Sequence, residues 1–595
     1  MNAGMTPRPC TEHSFDSHDG VALFYRHWPA APAVPAAPAV RRGAIVMFHR
    51  GHEHSGRMAH LVDELDLPEF DFFAWDARGH GRSPGVRGFS PGVDTSVRDI
   101  QTFMDHLAAA HDTPTASVYV IAQSLGAVMV AARVHDYGPP IRGMTLASPA
   151  FEVKLYVPLA RPGIRAMTML RGNFFVNSYV DARLLTHDAT RIASFNADPL
   201  ISRAISANML LDLHVTGRRI VADAAAITVP TQLLISGSDW VVREQPQRSF
   251  FARLSSPVKE LHRLPGFFHD TLGERDRGPV IALVRRFVDA AFTAAAAPLD
   301  VRDADQRGFT ADESRALAAP LPAWSPRAWY WAITRAMLKL AAPLSAGLRT
   351  GHDTGFDSGS TLDLVYRNEP RGAGPIGRAI DKTYLGSIGW RGIRQRKKHV
   401  EELLQLAMQQ VRARGLPVNV IDIAAGYGRY VLDAVAHGPA RPDAVLLRDT
   451  SERNVADGSA LVAERGLQSL VRFTQGDAFD RAGLAAVTPA PTVAVVSGLY
   501  ELFGDNARVA ASLGGLADAM PEGACLVYTC QPWHPQLELI ARALTSHRGG
   551  QAWVMRRRSQ LEMDQLVAAA GFRKVAQRID GWGIFTVAMA VRAAA

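Results

Sequence analysis

The sequence predicts an α/β protein of two domains, each built on a mostly parallel sheet, and three observations carry that reading. Short apolar strands alternate with helix-length segments twice along the chain. Each alternation holds one strand–turn–helix fingerprint, Val118 to Gly126 and Val420 to Gly428. The length, 595 residues, exceeds that at which a single core stops growing. The first turn exposes a serine, Ser124, which suits attack on an ester carbonyl. The second exposes backbone, which lets a nucleotide-like cofactor approach the main chain.

Composition narrows the function classes. Apolar residues at 47% with 21% charged fit packed globular domains and exclude wholesale disorder. Cys10, Cys525 and Cys530 show neither a disulfide framework nor metal-ligand spacing, so a reduced, cytoplasmic compartment is expected. Residues 1–14 lack an apolar signal core, and no stretch reaches the roughly 18 apolar residues of a membrane span. The net charge of +8, from 65 basic and 57 acidic residues, is small for this length, and no nucleic-acid partner is expected. Basic residues cluster at Arg391, Arg394, Arg396, Lys397 and Lys398 and again at Arg556, Arg557 and Arg558. Solvated faces are the plainer reading of these runs; a site for phosphate head groups or an anionic membrane surface is the alternative.

The elements follow in order. A hairpin from Glu12 to Trp28 turns at Asp19-Gly20 and leads through a Pro/Ala loop, Pro29 to Val40, to a strand from Ala44 to Phe48. After the loop from His49 to Arg57 comes a strand from Asp71 to Trp75, then the serine turn. Residues 151–215 break the rhythm with Met, Phe, Arg and Pro, show no clear strand, and read as a helical cap. Strands return at Thr231 to Ser236 and Val258 to Leu264, and a helix from Pro279 to Ala296 closes a domain of residues 1–297. Residues 298–374, rich in Ala, Pro, Gly and Asp, read as a linker around one amphipathic helix, Trp324 to Leu340, with Pro326 in its first turn. That helix packs on a domain, or lies at a membrane interface. In residues 375–595 a helix from His399 to Arg414 precedes strands at Val418 to Ile423, Ala444 to Arg448, Val471 to Phe473, Val493 to Val496, Ala524 to Tyr528, Lys574 to Ile579 and Ile584 to Val591. The last two are close enough to pair as an antiparallel edge hairpin.

An alcohol becomes a nucleophile when an imidazole takes its proton and a carboxylate orients the imidazole. Ser124, Asp239 after a strand, and His269 thirty residues further on stand in the chain order of an α/β-hydrolase. Ala122 replaces the first glycine of G-x-S-x-G. The expected oxyanion hole is the amide of Leu125 with that of Gly51.

At these residues the segment from about 12 to 295 resembles the monoacylglycerol lipase and lysophospholipase group of α/β-hydrolases. The matching pieces are His49-x-x-x-Glu53-His54-Ser55-Gly56-Arg57, Asp76-x-x-Gly79-His80-Gly81-x-Ser83, the serine turn, and Asn196-x-Asp198-Pro199-Leu200 in the cap. The resemblance implies hydrolysis of acylglycerol or lysophospholipid esters under an apolar cap. It also places His49, His52, His54 and His80 in loops typical of the group, so no metal is expected. Arg50 stands where the group usually has glycine. It pairs with a substrate phosphate or carboxylate, or with a protein acid, the latter being favoured.

The glycine turn alone serves dinucleotides, flavins and S-adenosylmethionine alike. Asp422 opens the turn Asp422-Ile-Ala424-Ala-Gly426-Tyr-Gly428, and Asp449, 27 residues past Asp422, stands where an acid accepts from a ribose. Asp477 follows the third strand, where an acid can receive an adenine amino group. With the closing hairpin, residues 375–595 resemble a Rossmann-like class I S-adenosylmethionine-dependent methyltransferase, Ala424 replacing the first glycine of the usual turn. The methyl-acceptor candidates are Tyr500 and Glu501 after the fourth strand and Trp533 and His534 after the fifth, with packing and capping as their alternative role. The segment from Asp381 to Arg394 stands where such enzymes carry a lid.

The joined architecture resembles bacterial bifunctional hydrolase/methyltransferase proteins. The expectation is a cytoplasmic enzyme that hydrolyses a lipid or other small-molecule ester and methylates an acceptor, with peripheral contact at the inner membrane surface as an option. The alternative is a serine acyltransferase whose C-terminal domain binds S-adenosylmethionine as a regulator.

Overall fold

The computed structural model describes residues 8–31, 41–177, 180–294 and 298–594. The first seven residues, most of the Pro/Ala loop, two cap residues and the end of the expected closing helix lie outside them. The chain divides into two compact units, which meet in sequence between Leu299 and Asp300.

In the first unit β1 (Thr11–Asp16), β2 (Ala22–Trp28), β3 (Gly43–Phe48), β4 (Phe70–Trp75), β5 (Val118–Gln123) and β6 (Gly143–Ala147) precede the cap ribbon of β7 (Phe175–Asn177) and β8 (Ala204–Ser206). Strands β9 (Thr231–Ser236) and β10 (Lys259–Leu264) complete an eight-stranded sheet ordered β1-β2-β4-β3-β5-β6-β9-β10. Only the β1–β2 and β2–β4 pairs are antiparallel. Strands β3 to β6 and β9 are buried at every position, as parallel strands covered on both faces must be. Strand β5 lies in mid-sheet, so the serine turn opens at the centre of its C-terminal edge. The expected α/β-hydrolase fold is borne out. Two elements were missed. Strand β6 begins on glycine after Pro139-Pro140, a composition that reads as loop. The three-residue strands β7 and β8 give the cap a ribbon too short for a period-two pattern, and the last cap helix runs from Ala207 to Ala222.

The second unit holds β11 (Asn419–Asp422), β12 (Ala444–Asp449), β13 (Val471–Gln475), β14 (Val493–Val496), β15 (Cys525–Cys530), β16 (Phe572–Ile579) and β17 (Thr586–Arg592) in the order β13-β12-β11-β14-β15-β17-β16. The first five are parallel, and β17 runs antiparallel to β15 and β16. Strand order reverses between β11 and β14, which places the glycine turn at a topological switch point. Apolar clusters cover both faces, one around Val420, Leu447 and Val495 and the other around Ile421, Ala494 and Tyr528. The Rossmann-like expectation holds.

The linker expected over 298–374 is replaced by four helices, Phe309–Ala318, Pro326–Ala341, Ala346–Thr354 and Gly359–Arg367, all within the second unit. Leu348, Phe356 and Val365 are buried in one cluster with Trp390, Leu537, Trp553 and Phe585. Ser325, Ser345 and Ser358 cap three of the helices through their side chains. Helix Pro326–Ala341 packs through Trp331, whose Nε1 donates to Glu538 Oε1 at 3.0 Å, while Trp324, Trp329, Ile333, Met337 and Leu340 stay exposed. The basic runs divide: Arg391 and Lys398 are exposed, as the solvated-face reading expects, while the other cations are internally engaged. Arg396 is buried, Lys397 pairs with Glu401 and Asp433, and Arg391 stacks on Trp582 at 4.6 Å. Arg556 to Arg558 are all buried, Arg556 binding Glu562 and Arg557 binding Glu313. Among the described residues no helix is long and apolar enough to cross a membrane.

Candidate active sites

Ser124 sits between β5 and the helix Leu125–Tyr137 at φ 55°, ψ −113°, a left-handed conformation that a non-glycine residue adopts only under constraint. The close turn is possible because Gly126 has no side chain; a Cβ there would lie 2.5 Å from the His49 carbonyl oxygen. Ala122, fully buried in β5, fits without difficulty. Ser124 Oγ lies 2.8 Å from His269 Nε2, and His269 Nδ1 lies 2.7 Å from Asp239 Oδ2. The other Asp239 oxygen accepts from the amides of Val241 and Val242 at 2.7 and 2.9 Å. Burial alone would raise the Asp239 carboxyl, but the His269 ring and these hydrogen bonds outweigh it and hold it below its ordinary value. The three predicted residues are therefore brought together in one hydrogen-bonded chain.

A cavity of about 390 Å³ opens over Ser124, and Gly51, Leu125 and His269 line it too. Its walls are otherwise mainly apolar, among them Leu155, Ile164, Val176, Phe195 and Leu213 from the cap. Arg50 borders it, but both Nε and Nη2 bind Glu53 at 2.7 Å, and the guanidinium stands over the Phe195 ring. Although burial opposes it, this pairing lowers the Glu53 carboxyl to about 2. The protein-acid reading of Arg50 is the one its contacts support. The loop histidines engage protein groups: His49 Nδ1 meets the Arg50 carbonyl at 2.7 Å while Nε2 accepts from the Ala77 amide, and His54 Nε2 meets Asp198 in the cap at 2.9 Å. His18, Asp19 and Asp99 form a group of metal-ligand type among the described residues, and Arg78 donates to both acids, so a protein cation already serves them.

The second cavity, about 540 Å³, lies at the switch point and is lined by Ala424, Gly426, Asp449, Asp477 and Gly498. Gly426 and Gly428 hold φ 58° and 71°, and a Cβ on Gly428 would meet Leu447 Cδ1 at 2.5 Å. Asp449 fixes the turn by accepting from the Gly426 amide at 2.9 Å, and it also accepts from Ser451 N and Asn454 Nδ2. Asp477 accepts from the Phe479 amide with one oxygen. Asp422 departs from its expected role. It lies fully buried behind the turn, bonded to the Ala424 amide at 3.2 Å, and is not part of the cavity lining.

Burial pushes the Asp422 carboxyl up to about 7, against the opposing influence of the nearby Tyr430 hydroxyl and the hydrogen bond from the Ala424 amide. The folded unit therefore retains a proton that the unfolded chain releases near 3.8. The associated stability is full below that pH and is lost as pH rises to about 7, on the order of a few kcal/mol. Asp422→Asn is expected to flatten this fall, so that melting temperature drops less between pH 5 and 8 than in the wild type. Equal pH slopes in the two proteins would contradict the assignment.

The acceptor candidates also need correction. Tyr500 is buried, and its hydroxyl donates to Ser512 Oγ at 2.9 Å in the core. Trp533 belongs to the apolar cluster around Trp390. His534 is buried, its Nδ1 accepts from the Gln536 amide, and burial lowers it to about 4. None of the three lines the cavity. Glu501 lies behind the wall at Gly498, joined to it through Thr529, whose Oγ1 donates to Glu501 at 2.6 Å and accepts from the Gly498 amide at 2.9 Å. The predicted lid does not cover the cavity either. Asp381 is buried and accepts from Ser345, Gly347 and Arg371, tying helices together. The cover is instead Asp357 to Tyr366, with Asp363 held by Arg429 at 2.5 Å and Ser360 by Tyr427 at 3.0 Å. The sequence carried a signal for it in Ser358-Gly-Ser, a capped helix start.

Comparison with known proteins adds kinship. A family model described as "Putative methyltransferase" matches residues 284–592, and one described as "Serine aminopeptidase, S33" matches residues 39–276. The chain is 57% identical over 582 residues to "Uncharacterized protein YnbC" of Escherichia coli strain K12, covering 98% of each. It is 28% identical over 273 residues to a monoacylglycerol lipase of Mycolicibacterium smegmatis, covering 46% of this chain and 94% of that one. A solved structure of Paleococcus ferrophilus monoacylglycerol lipase matches with TM-score 0.41 and 21% identity, over 45% of this chain and 99% of that one.

Proposed function

The chain belongs to the family described as putative methyltransferase and carries an α/β-hydrolase domain ahead of it, and from that premise we propose a bifunctional enzyme. The first unit hydrolyses lipid esters of the monoacylglycerol or lysophospholipid class, and the second transfers a methyl group from S-adenosylmethionine. The observation that carries the first half is the Ser124–His269–Asp239 chain under an apolar cavity. Ser124 Oγ bonds to the ester carbonyl carbon as its proton passes to His269 Nε2, and the Leu125 and Gly51 amides receive the oxyanion. The alcohol leaves with that proton. Water, deprotonated by the same imidazole, then releases the acid from Ser124. Asp239 holds the ring in the tautomer that accepts at Nε2.

The second site fits the cofactor by its donor set. At positive φ, Gly426 and Gly428 leave the main chain bare. Asp449 uses three of its carboxylate's about four acceptor positions internally, which leaves one for a ribose hydroxyl. Asp477 keeps one oxygen for an adenine amino group. When bound, the cofactor would supply an activated methyl group; the chain holds it, aligns the acceptor and excludes water.

The test is incubation of wild-type and Ser124→Ala protein with cellular lipids and labelled methyl donor, followed by mass spectrometry. A labelled lipid formed only by the wild type links the two sites, and one formed by both shows them to be independent. No hydrolysis and no label from the wild type would sink the proposal. Peripheral contact with an anionic bilayer belongs to the same reading, through the exposed Trp324–Leu340 face, which carries exposed Lys339 and packs against the helix that bears exposed Arg349. Trp329→Ser with Ile333→Ser is expected to reduce co-sedimentation with phosphatidylglycerol vesicles several-fold, and unchanged sedimentation would remove the contact.

A further inference from the structure

Arg396, on the helix Ile388–Ala413, is a buried guanidinium with too few partners. It is 3% exposed, its Nε donates to nothing among the described residues, and its nearest carboxylate oxygen, Glu501 Oε1, is 3.7 Å from Nη1. The Phe585 ring and the Tyr366 hydroxyl stand against it. Glu501 is 7% exposed, and its Oε2 is buried without a hydrogen bond. A buried charge with an open donor beside a buried carboxylate with an open acceptor is unfavourable unless something completes it.

This incomplete pair adjoins the methyl-donor cavity. Tyr366 and Gly498 line the cavity, and a Cβ on Gly498 would lie 2.9 Å from Arg396 Nη2. The guanidinium thus stands directly behind the Gly498 wall, in the space a side chain there would take, and only that glycine separates it from the cavity. Thr529 fixes the other end, bonding both the Gly498 amide and Glu501 Oε1. A group that completes both partners must accept from a guanidinium and donate to a carboxylate at once. A hydroxyl or a protonated carboxyl does this; an aliphatic amine does not in the ammonium form it takes near neutral pH, which has nothing to accept with and is repelled by Arg396.

We propose that Arg396 and Glu501 form the methyl-acceptor subsite, and that the acceptor is an oxygen carrying a proton, a hydroxyl or a carboxyl. This rests on the methyltransferase reading of the second cavity. Arg396 donates to the acceptor oxygen, and Glu501 Oε2 takes its proton. The O–H bond breaks toward Glu501 as the oxygen bonds to the methyl carbon, and the carbon–sulfur electron pair returns to the sulfonium, leaving a neutral thioether. The serine site releases an alcohol, which belongs to this class as it stands, and an acid, which belongs to it only in its protonated form.

The test uses full-length protein whose Ser124 has first been blocked with a long-chain alkyl fluorophosphonate, so that the first cavity is filled, with dodecanoic acid and 1-dodecanol as separate probes and S-adenosylhomocysteine as the cofactor-side probe. Calorimetry is expected to show wild-type binding of at least one of the two lipid probes, reduced at least tenfold in Arg396→Met, with S-adenosylhomocysteine affinity within twofold of wild type. Arg396→Met exchanges a buried charge for an apolar side chain of similar length, and Glu501→Gln supplies a second variant. That second variant is expected to retain probe binding and to lose methyl transfer about 10²- to 10³-fold. Label from the methyl donor is expected on oxygen. Label on nitrogen or carbon, or lipid-probe binding unchanged in Arg396→Met, overturns the subsite. Failure of the wild type to bind S-adenosylhomocysteine while still binding a lipid probe through Arg396 would overturn the cofactor reading instead.

Discussion

Ser124→Ala is expected to lower ester turnover on the order of 10⁴- to 10⁶-fold while leaving the fold and the second unit's cofactor affinity unchanged. The size follows from the hydrogen-bonded chain. Without Oγ, His269 has no proton to take from a nucleophile 2.8 Å away, and the Asp239–His269 pair at 2.7 Å orients an imidazole with nothing to activate. What remains is positioning by the cap cavity and the oxyanion amides, each worth about 2.7–4 kcal/mol in comparable sites. Alanine adopts the φ 55° turn no less readily than serine, so the variant keeps its melting temperature. Hydrolysis of a monoacylglycerol and labelling by a fluorophosphonate measure the effect. Retention of more than about one per cent of turnover, or labelling of the variant, would remove Ser124 from the nucleophile's role.

The serine chain was legible because its signals are local: a small–x–Ser–x–Gly turn after an apolar strand, then an acid and a histidine each following a strand in the expected order. The glycine turn was legible for the same reason, and Asp449 by its spacing. What escaped depends on contacts distant in sequence. Arg557 looks like part of a surface run until Glu313, 244 residues away, is placed against it. Leu348, Phe356 and Val365 lie in a segment whose composition reads as a linker, and only Leu537, Trp553 and Phe585 turn their helices into the wall of a cavity. Tyr500 and His534 sit at positions where such folds place acceptor residues, yet their directions are set by Ser512 and Gln536. Arg396 was visible only as one cation among five. Its burial next to Gly498 is what distinguishes it.

Asp449→Ala is expected to weaken S-adenosylhomocysteine binding roughly 10- to 100-fold, the cost of one or two hydrogen bonds to a charged acceptor. Two effects combine. The substitution removes the carboxylate that the proposed reading assigns to the ribose, and it releases the Gly426 amide, held at 2.9 Å, together with the Ser451 amide and Asn454 side chain. The turn then has to pay for its φ 58° and 71° conformations without that anchor, so lost preorganisation adds to the lost contact. Asp449→Asn separates the two, because one amide oxygen still accepts from Gly426 while the NH₂ faces a former donor; its affinity is expected between those of wild type and the alanine variant. Ester hydrolysis at Ser124 is expected to be unaffected by either change. Titration calorimetry read beside esterase turnover checks both. Cofactor-side affinity equal to wild type in Asp449→Ala would show that the acid anchors only the turn, and would transfer the ribose contact to another residue of the cavity.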